Sequence, residues 1–331
     1  MDKLNNKKNI LVIGTGGTIA GVGIDGKTSG YDSAQIKVDN IIKNVPNIEK
    51  LANIKAVELY NVDSCDMDIE KLVNMACYIE EMAAKDDIDG FVITHGSDTL
   101  EETAYFLNLT VHTNKPIVLT GSMRPSTAIS ADGPFNLYQA VALARSPEAE
   151  GKGVLVVFSD AIYGARDVIK VNTFKTDAFN QKDMGSFGYM RDDKAYFYNH
   201  SIKKHTINSE FKVSKDMKLP NVEVINYYLG RSEESLKHLS KIAEGIVLGG
   251  AGCGGASTKW NDAIEEMINS GTVVVRSSRV GNGLVTYNNK EIFKQGVYSN
   301  SLTPQKSRIL LMLALTKTKD IKEIQEIFNT Y

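Results

Sequence analysis

The chain has 331 residues, 42% hydrophobic and 24% charged, with 38 basic against 40 acidic side chains; this is the composition of an ordinary soluble globular protein, long enough for two domains. Near-neutral charge without a long single-sign block argues against a nucleic-acid or anionic-membrane surface, and no apolar run approaches the roughly 18 residues of a membrane span. The expected partner is a small neutral or zwitterionic molecule.

The opening "MDKLNNKKNILVIG" reads as a polar lead-in to a first strand at 9–14 rather than an export signal. Further apolar runs predict strands at 54–60, 90–94, 116–121 and 153–158. Amphipathic stretches between them predict helices over 68–84 and 99–112, the second opening with the capping box Thr99-Leu-Glu-Glu102. Pro134 suits the first turn of another helix. Alternation of this kind, with strands apolar on both faces, predicts an α/β fold: a large, mostly parallel sheet covered by helices. From about 191 to 219 the pattern breaks into a charged, glycine-free stretch. Strands at 222–228, 245–250 and 271–276, with helices near 257–269, 302–316 and 320–329, then predict a smaller C-terminal α/β domain. The expected division is an N-terminal catalytic domain at 1–199, a linker at 200–219 and a C-terminal domain at 220–331.

Three scattered cysteines, Cys65, Cys77 and Cys253, form neither a disulfide scaffold nor a C-x-x-C metal site. The five histidines lack zinc-ligand spacing. No metal is expected.

Ligands of open parallel sheets bind beyond the carboxyl ends of the strands. Four predicted strand ends deliver hydroxyls, glycines and charges there: "TGGT" (15–18), "THGSDT" (94–99), "TGSMRPS" (120–126) and "SDAIYGARDVIK" (159–170). Gly21–Thr28 fits the phosphate-loop pattern G-x-x-x-x-G-K-[ST], but it begins seven residues after the predicted strand end and precedes a poor helix start. Gly250-x-Gly252-x-x-Gly255 follows a strand as a dinucleotide fingerprint would, yet the next strand ends in "TVVVRSSR" without the acidic ribose partner. Thr18 is the alternative centre: a hydroxyl that becomes nucleophilic once a base removes its proton and backbone N–H groups stabilise the oxyanion. His95 has no acid placed to complete a triad and is expected to be structural.

The stretches "ILVIGTGGTIAG", "GFVITHGSDTLEETAYFLNLT", "GSMRPSTAISADGPFNLYQAV", "GARDVIKVNT", "VVRSSRVG" and "LTPQKSRILLMLALTKT" together resemble the bacterial L-asparaginases, particularly their type II branch. The resemblance runs from about residue 10 to the C-terminus. It implies the two-domain fold read above and hydrolysis of asparagine, in some members also glutamine, to the acid and ammonia. It implies no cofactor, and a homotetramer, a dimer of dimers, with active sites between subunits. Position by position, Thr18 matches the nucleophile and Tyr31 the lid tyrosine that helps activate it. The resemblance makes the Gly21–Thr28 stretch a hinge of that lid. Ser97, Asp98 and Lys170 match a second catalytic cluster, with Ser97 where threonine is usual. Ser64 matches the residue that binds the substrate's α-carboxylate. Ser122 matches the position whose backbone carbonyl receives the amide nitrogen. Either Tyr31 or the Lys170 cluster is a candidate to take the nucleophile's proton.

Four positions depart from that pattern. Cys65 stands where glutamine or glutamate contacts the substrate's amino end, and Ser97 loses a methyl. Gly255 replaces an expected asparagine. Glu291 is the nearest candidate for the acid supplied by a neighbouring subunit. All four touch recognition, so a working asparaginase with altered affinity is expected, with a relaxed-specificity glutaminase-asparaginase as the alternative. A non-catalytic nucleotide or amino-acid binding protein is the alternative of another class. Cys77 matches one half of a disulfide found in some members, but Thr113 takes the other position, which with the absence of an export signal favours a cytoplasmic location, a periplasmic or secreted one being the alternative if a signal peptide has been removed.

Overall fold

The central strand of the larger sheet, β1 (Asn9–Gly16), is buried from Ile10 onward. A strand with both faces apolar must be covered on both sides, and the rest of its unit is arranged to do so. The computed structural model describes residues 7–287 and 296–331, and the chain parts after Lys215 into two compact units.

In the first unit β1 is followed by two short strands, β2 (Val22–Gly23) and β3 (Tyr31–Asp32), and by helices α1 (Val38–Lys43) and α2 (Ile48–Leu51). Then come β4 (Asn53–Val62), α3 (Ile69–Ala83), β5 (Gly90–Thr94), α4 (Leu100–Thr110), β6 (Ile117–Thr120) and α5 (Gly133–Ala144). Six strands close the unit: β7 (Val154–Phe158), β8 (Ala161–Gly164), β9 (Ile169–Lys170), β10 (Phe179–Asn180), β11 (Gly188–Arg191) and β12 (Lys194–Phe197). The eight-stranded sheet runs β12-β11-β8-β7-β6-β5-β1-β4. The five strands from β7 to β4 pair in parallel; β8, β11 and β12 extend the sheet antiparallel.

Side-chain alternation divides the core. Ile10, Val12, Val92, Val118, Leu155 and Val157 pack in one cluster with residues of α1, α2 and α5. The intervening Leu11, Ile13, Phe91, Ile93, Leu119 and Val156 are buried as well, and α4 lies against β6 and β7. Each fully buried aliphatic or aromatic side chain contributes about 1.5–3 kcal/mol over leaving it in water.

Two local readings change. Thr99 precedes α4 but makes no side-chain cap; its hydroxyl donates instead to the Ser64 carbonyl at 2.8 Å. The charged stretch starting at 191 opens with a hairpin turn: Arg191 pairs with Lys194 and Tyr189 with Tyr196 across β11 and β12. Asp192 sits in its turn at φ 55°. Residues 200–215 group with the first unit, and Phe211 is buried.

The second unit contains β13 (Val222–Asn226), α6 (Glu234–Leu239), β14 (Gly245–Gly250), α7 (Thr258–Asn269), β15 (Val273–Ser278), β16 (Val297–Tyr298), α8 (Pro304–Ala314) and α9 (Ile321–Thr330). Among the described residues, its four strands are parallel and lie side by side in chain order. Trp260 of α7 is fully buried, meets Tyr227 edge-on at 5.3 Å, and donates its indole N–H to the Arg231 carbonyl. Among the described residues, no helix is long and apolar enough to cross a membrane.

Candidate active site

At the carboxyl end of β1 the chain cannot continue straight. The pairing of β1 with β4 shifts register between Gly14 and Gly16, and Gly17 follows at φ 78°, ψ −170°, a conformation open to glycine and costly for other residues. A β-carbon on Gly17 would lie 2.3 Å from the Gly96 Cα, so the two backbones touch. The next residue, Thr18, opens a single 3-10 turn and is 9% exposed. Its hydroxyl lies 2.9 Å from that of Tyr31.

The phosphate-loop-like stretch is now explained. No helix follows it before α1; instead β2 and β3 form a short hairpin, with Gly23 opposite Tyr31. A β-carbon on Gly21 would meet the Tyr31 ring at 3.0 Å, and one on Gly23 would meet the Tyr31 Cβ at 2.7 Å. The glycines make room for a tyrosine, not for a phosphate. The hairpin is fastened to residues 126–127: the Ser126 hydroxyl and N–H donate to the Gly21 carbonyl, Gly23 N–H donates to the Thr127 hydroxyl, and Gly26 N–H donates to the Thr127 carbonyl.

Beyond β4, the Asp63 carboxylate accepts from the Cys65 N–H at 2.9 Å and the Ser33 hydroxyl at 2.7 Å. These bonds hold its carboxyl below the usual range, the Cys65 N–H contributing most. The turn presents Ser64, buried against Gly96, whose added β-carbon would stand 2.8 Å from the Ser64 hydroxyl oxygen. Cys65 is exposed and free. Partial desolvation pushes its thiol up, followed by the hydrogen bond and charge of Asp63 and the charge of Asp98.

Beyond β5, His95 is fully buried between the Gly96 carbonyl at 2.8 Å and the Thr103 hydroxyl at 3.0 Å. Burial lowers its pKa to about 4, so the ring is neutral and ties the turn to α4. Next to it, Lys170 donates to the Ser97 hydroxyl at 2.7 Å and the Asp98 carboxylate at 2.5 Å. The Lys170 side chain is 15% exposed and that of Asp98 59%. Glu101, in the first turn of α4, accepts from the Lys170 backbone N–H at 2.5 Å. Beyond β6, Ser122 is buried and its hydroxyl donates to the Arg124 carbonyl.

Thr18 and Tyr31, Ser64 and Cys65, and Ser97, Asp98 and Lys170 thus share one strand-end region, linked through the contacts of Gly17, Gly96 and Ser64. Glu291 lies outside the described residues. Gly255 sits in the second unit, where its N–H and carbonyl pair with Ala251 to close the 251–255 loop. In that loop the Gly254 backbone fills the space a β-carbon on Gly250 would need, so these glycines serve close backbone packing. Cys77 and Cys253 are free. Glu101 and Asp63 escaped the sequence reading. Asp63 carried an Asx-turn signal ahead of Ser64; Glu101 looked like any acid favoured at a helix start.

The chain is similar to known proteins along nearly its whole length. Residues 9–203 match the family described as asparaginase, N-terminal, and residues 221–328 the glutaminase/asparaginase C-terminal domain. The chain is 48% identical to L-asparaginase 2 of Bacillus subtilis over 98% of its own length and 86% of the relative's. It is 42% identical to a glutaminase-asparaginase of Pseudomonas fluorescens, covering 98% and 90%. The crystal structure of a probable cytoplasmic L-asparaginase from Campylobacter jejuni superimposes with a TM-score of 0.95 at 47% identity, covering 98% of this chain and all of that one. With both domain families matched in order along nearly the whole chain, the protein belongs to the asparaginase family.

Proposed function

We propose that the protein hydrolyses L-asparagine to L-aspartate and ammonia through an ester on Thr18. The observation that carries this is the 2.9 Å contact between the Thr18 and Tyr31 hydroxyls, beside a Lys170–Ser97–Asp98 cluster. The Thr18 oxygen attacks the side-chain amide carbon as its proton passes to the Tyr31 phenol oxygen, which gives up its own proton in the same relay to the amide nitrogen. The C–N bond breaks, the nitrogen takes up a proton and leaves as ammonia, and an aspartyl ester remains. Water activated at the Lys170 cluster then cleaves the ester, restoring the threonine hydroxyl. Ser64 meets the substrate's α-carboxylate, and Asp98 the α-ammonium, as its exposure supports. Cys65 lies beside them, and the Ser122 carbonyl receives the amide N–H. Glu291 is the acid a neighbouring subunit contributes in this scheme.

Relatives named glutaminase-asparaginase at 42–43% identity support a second reading, acceptance of glutamine. The assembly proposed is a homotetramer of two dimers with shared sites. The proposed compartment is the cytoplasm, which three free thiols favour. Ammonia release from asparagine and from glutamine by the purified protein tests the activity. Thr18→Val is expected to lower it by about 10⁴-fold or more while keeping the fold; a variant that retains most activity contradicts the assignment.

A further inference from the structure

Two side chains at the N-terminal end of α5, Asp132 just before the helix and Asn136 in its first turn, grip the backbone around Ser122, and neither has a role in the scheme above. Asp132, at the start of the helix, accepts from the Met123 N–H at 2.9 Å with Oδ2 and from the Arg124 N–H at 3.0 Å with Oδ1. Asn136, one turn later and 2% exposed, donates to the Gly121 carbonyl at 3.0 Å and to Asp132 Oδ2 at 3.2 Å. Its own oxygen accepts from the Ser159 N–H at 3.2 Å.

These contacts have a geometric consequence. The Met123 N–H and the Ser122 carbonyl belong to one peptide plane, and the chain contains no cis peptide among its described residues. In a trans peptide the N–H and C=O point in opposite directions. A carboxylate holding the Met123 N–H therefore fixes the direction of the Ser122 oxygen, away from Asp132. Asn136 fixes the preceding plane through Gly121 O. Bonds to a carboxylate are charge-assisted, and they polarise the peptide so that its carbonyl becomes a better acceptor.

The same helix also holds an unfavourable turn. Ser159 and Asp160, the two residues joining β7 to β8, have φ of 47° and 69°, left-handed values that non-glycine residues populate only when their surroundings impose them. Asn136 takes the Ser159 N–H, Gln139 donates to the Asp160 carboxylate at 2.6 Å, and the Ser159 hydroxyl donates to Thr176 O in the loop after Lys170. One helix face thereby ties the Ser122 segment to the loop beyond Lys170.

We infer that Asp132 and Asn136 are positioning residues that aim the Ser122 carbonyl at the N–H of the departing amide. The inference rests on the assignment of that carbonyl under the proposed function. It has a selective consequence: an amide has a leaving-group N–H to donate, whereas the β-methyl ester of L-aspartate has none. Both substrates form the same aspartyl ester, so kcat/KM compares the steps up to acylation.

The test measures kcat/KM for L-asparagine and for β-methyl L-aspartate in the unaltered protein, in Asp132→Asn and in Asn136→Ser. A melting curve for each variant confirms a folded state. Asp132→Asn removes the charge with little change in shape, and Asn136→Ser leaves that charge in place. Misaiming one acceptor is expected to lower the asparagine value by about 10- to 100-fold and to move the ester value by less than about threefold. An equal loss on both substrates, or no loss in a folded variant, overturns the inference. If the unaltered protein turns over neither substrate, the proposed function fails instead.

Discussion

A β-carbon on Gly17 would stand 2.3 Å from the Cα of Gly96, and that near-contact brings the Thr18 turn against the Ser97–Asp98 turn. Gly17 also has φ 78°. Gly17→Ala therefore meets a backbone clash and an unfavourable conformation together, and should cost about 3 kcal/mol or more. Urea denaturation measures this; a variant as stable as the parent would remove the contact from the account.

Lys170 holds Ser97 and Asp98 at once, and Glu101 holds the Lys170 backbone. Lys170→Met should lower kcat by about 10²- to 10⁴-fold, the range of a lost acid–base group. Glu101→Leu should act in the same direction but less, by about tenfold, because it displaces the lysine without deleting it. Steady-state kinetics separates the two, and a Glu101 variant with unchanged kcat would show that the backbone bond does not position Lys170.

His95 supplies a pH dependence of stability. Its folded pKa is about 4 because burial penalises the charged ring, whereas the unfolded chain takes up the proton near 6.5. Above that value both states are neutral and the residue contributes no slope. As pH falls from about 6.5 to about 4 the unfolded state binds the proton first, and stability drops by about 3 kcal/mol before levelling off. Urea midpoints at about pH 7.5 and about pH 4.5 should differ more for the parent than for His95→Gln. His205, also lowered by burial, remains in both proteins and cancels in the comparison. Equal differences would show that His95 is protonated in the fold.

The sheet was legible because strands buried on both faces leave uninterrupted apolar runs, as in "NILVIG" and "GVLVVF", and glycine–hydroxyl clusters marked their ends. The β11–β12 hairpin was not: Tyr189 and Tyr196 are exposed partners at the sheet edge, and the Arg191–Lys194 charges hid the alternation. Thr99 misled for another reason. A threonine followed by Glu102 has the pattern of a capping box, but nothing local reveals that its hydroxyl will reach Ser64, 35 residues earlier. Asp132 and Asn136 were hidden in the same way, as an ordinary helix start whose partners lie in the turns after β6 and β7.

Cys65 offers a test of recognition. A thiol is a weak hydrogen-bonding group, and here it stays protonated beside Asp63 and Asp98. Cys65→Gln supplies a strong donor and acceptor in place of the thiol and should lower KM for asparagine by about tenfold with kcat nearly unchanged. Equal KM values for parent and variant would place the substrate's amino end elsewhere.

The most direct measurement is acid quenching of the enzyme during turnover of asparagine, followed by peptide mass analysis. The account predicts an aspartyl increment on the peptide containing Thr18, absent from Thr18→Val. An increment on any other side chain, or none under conditions where ester cleavage has been slowed, would contradict it.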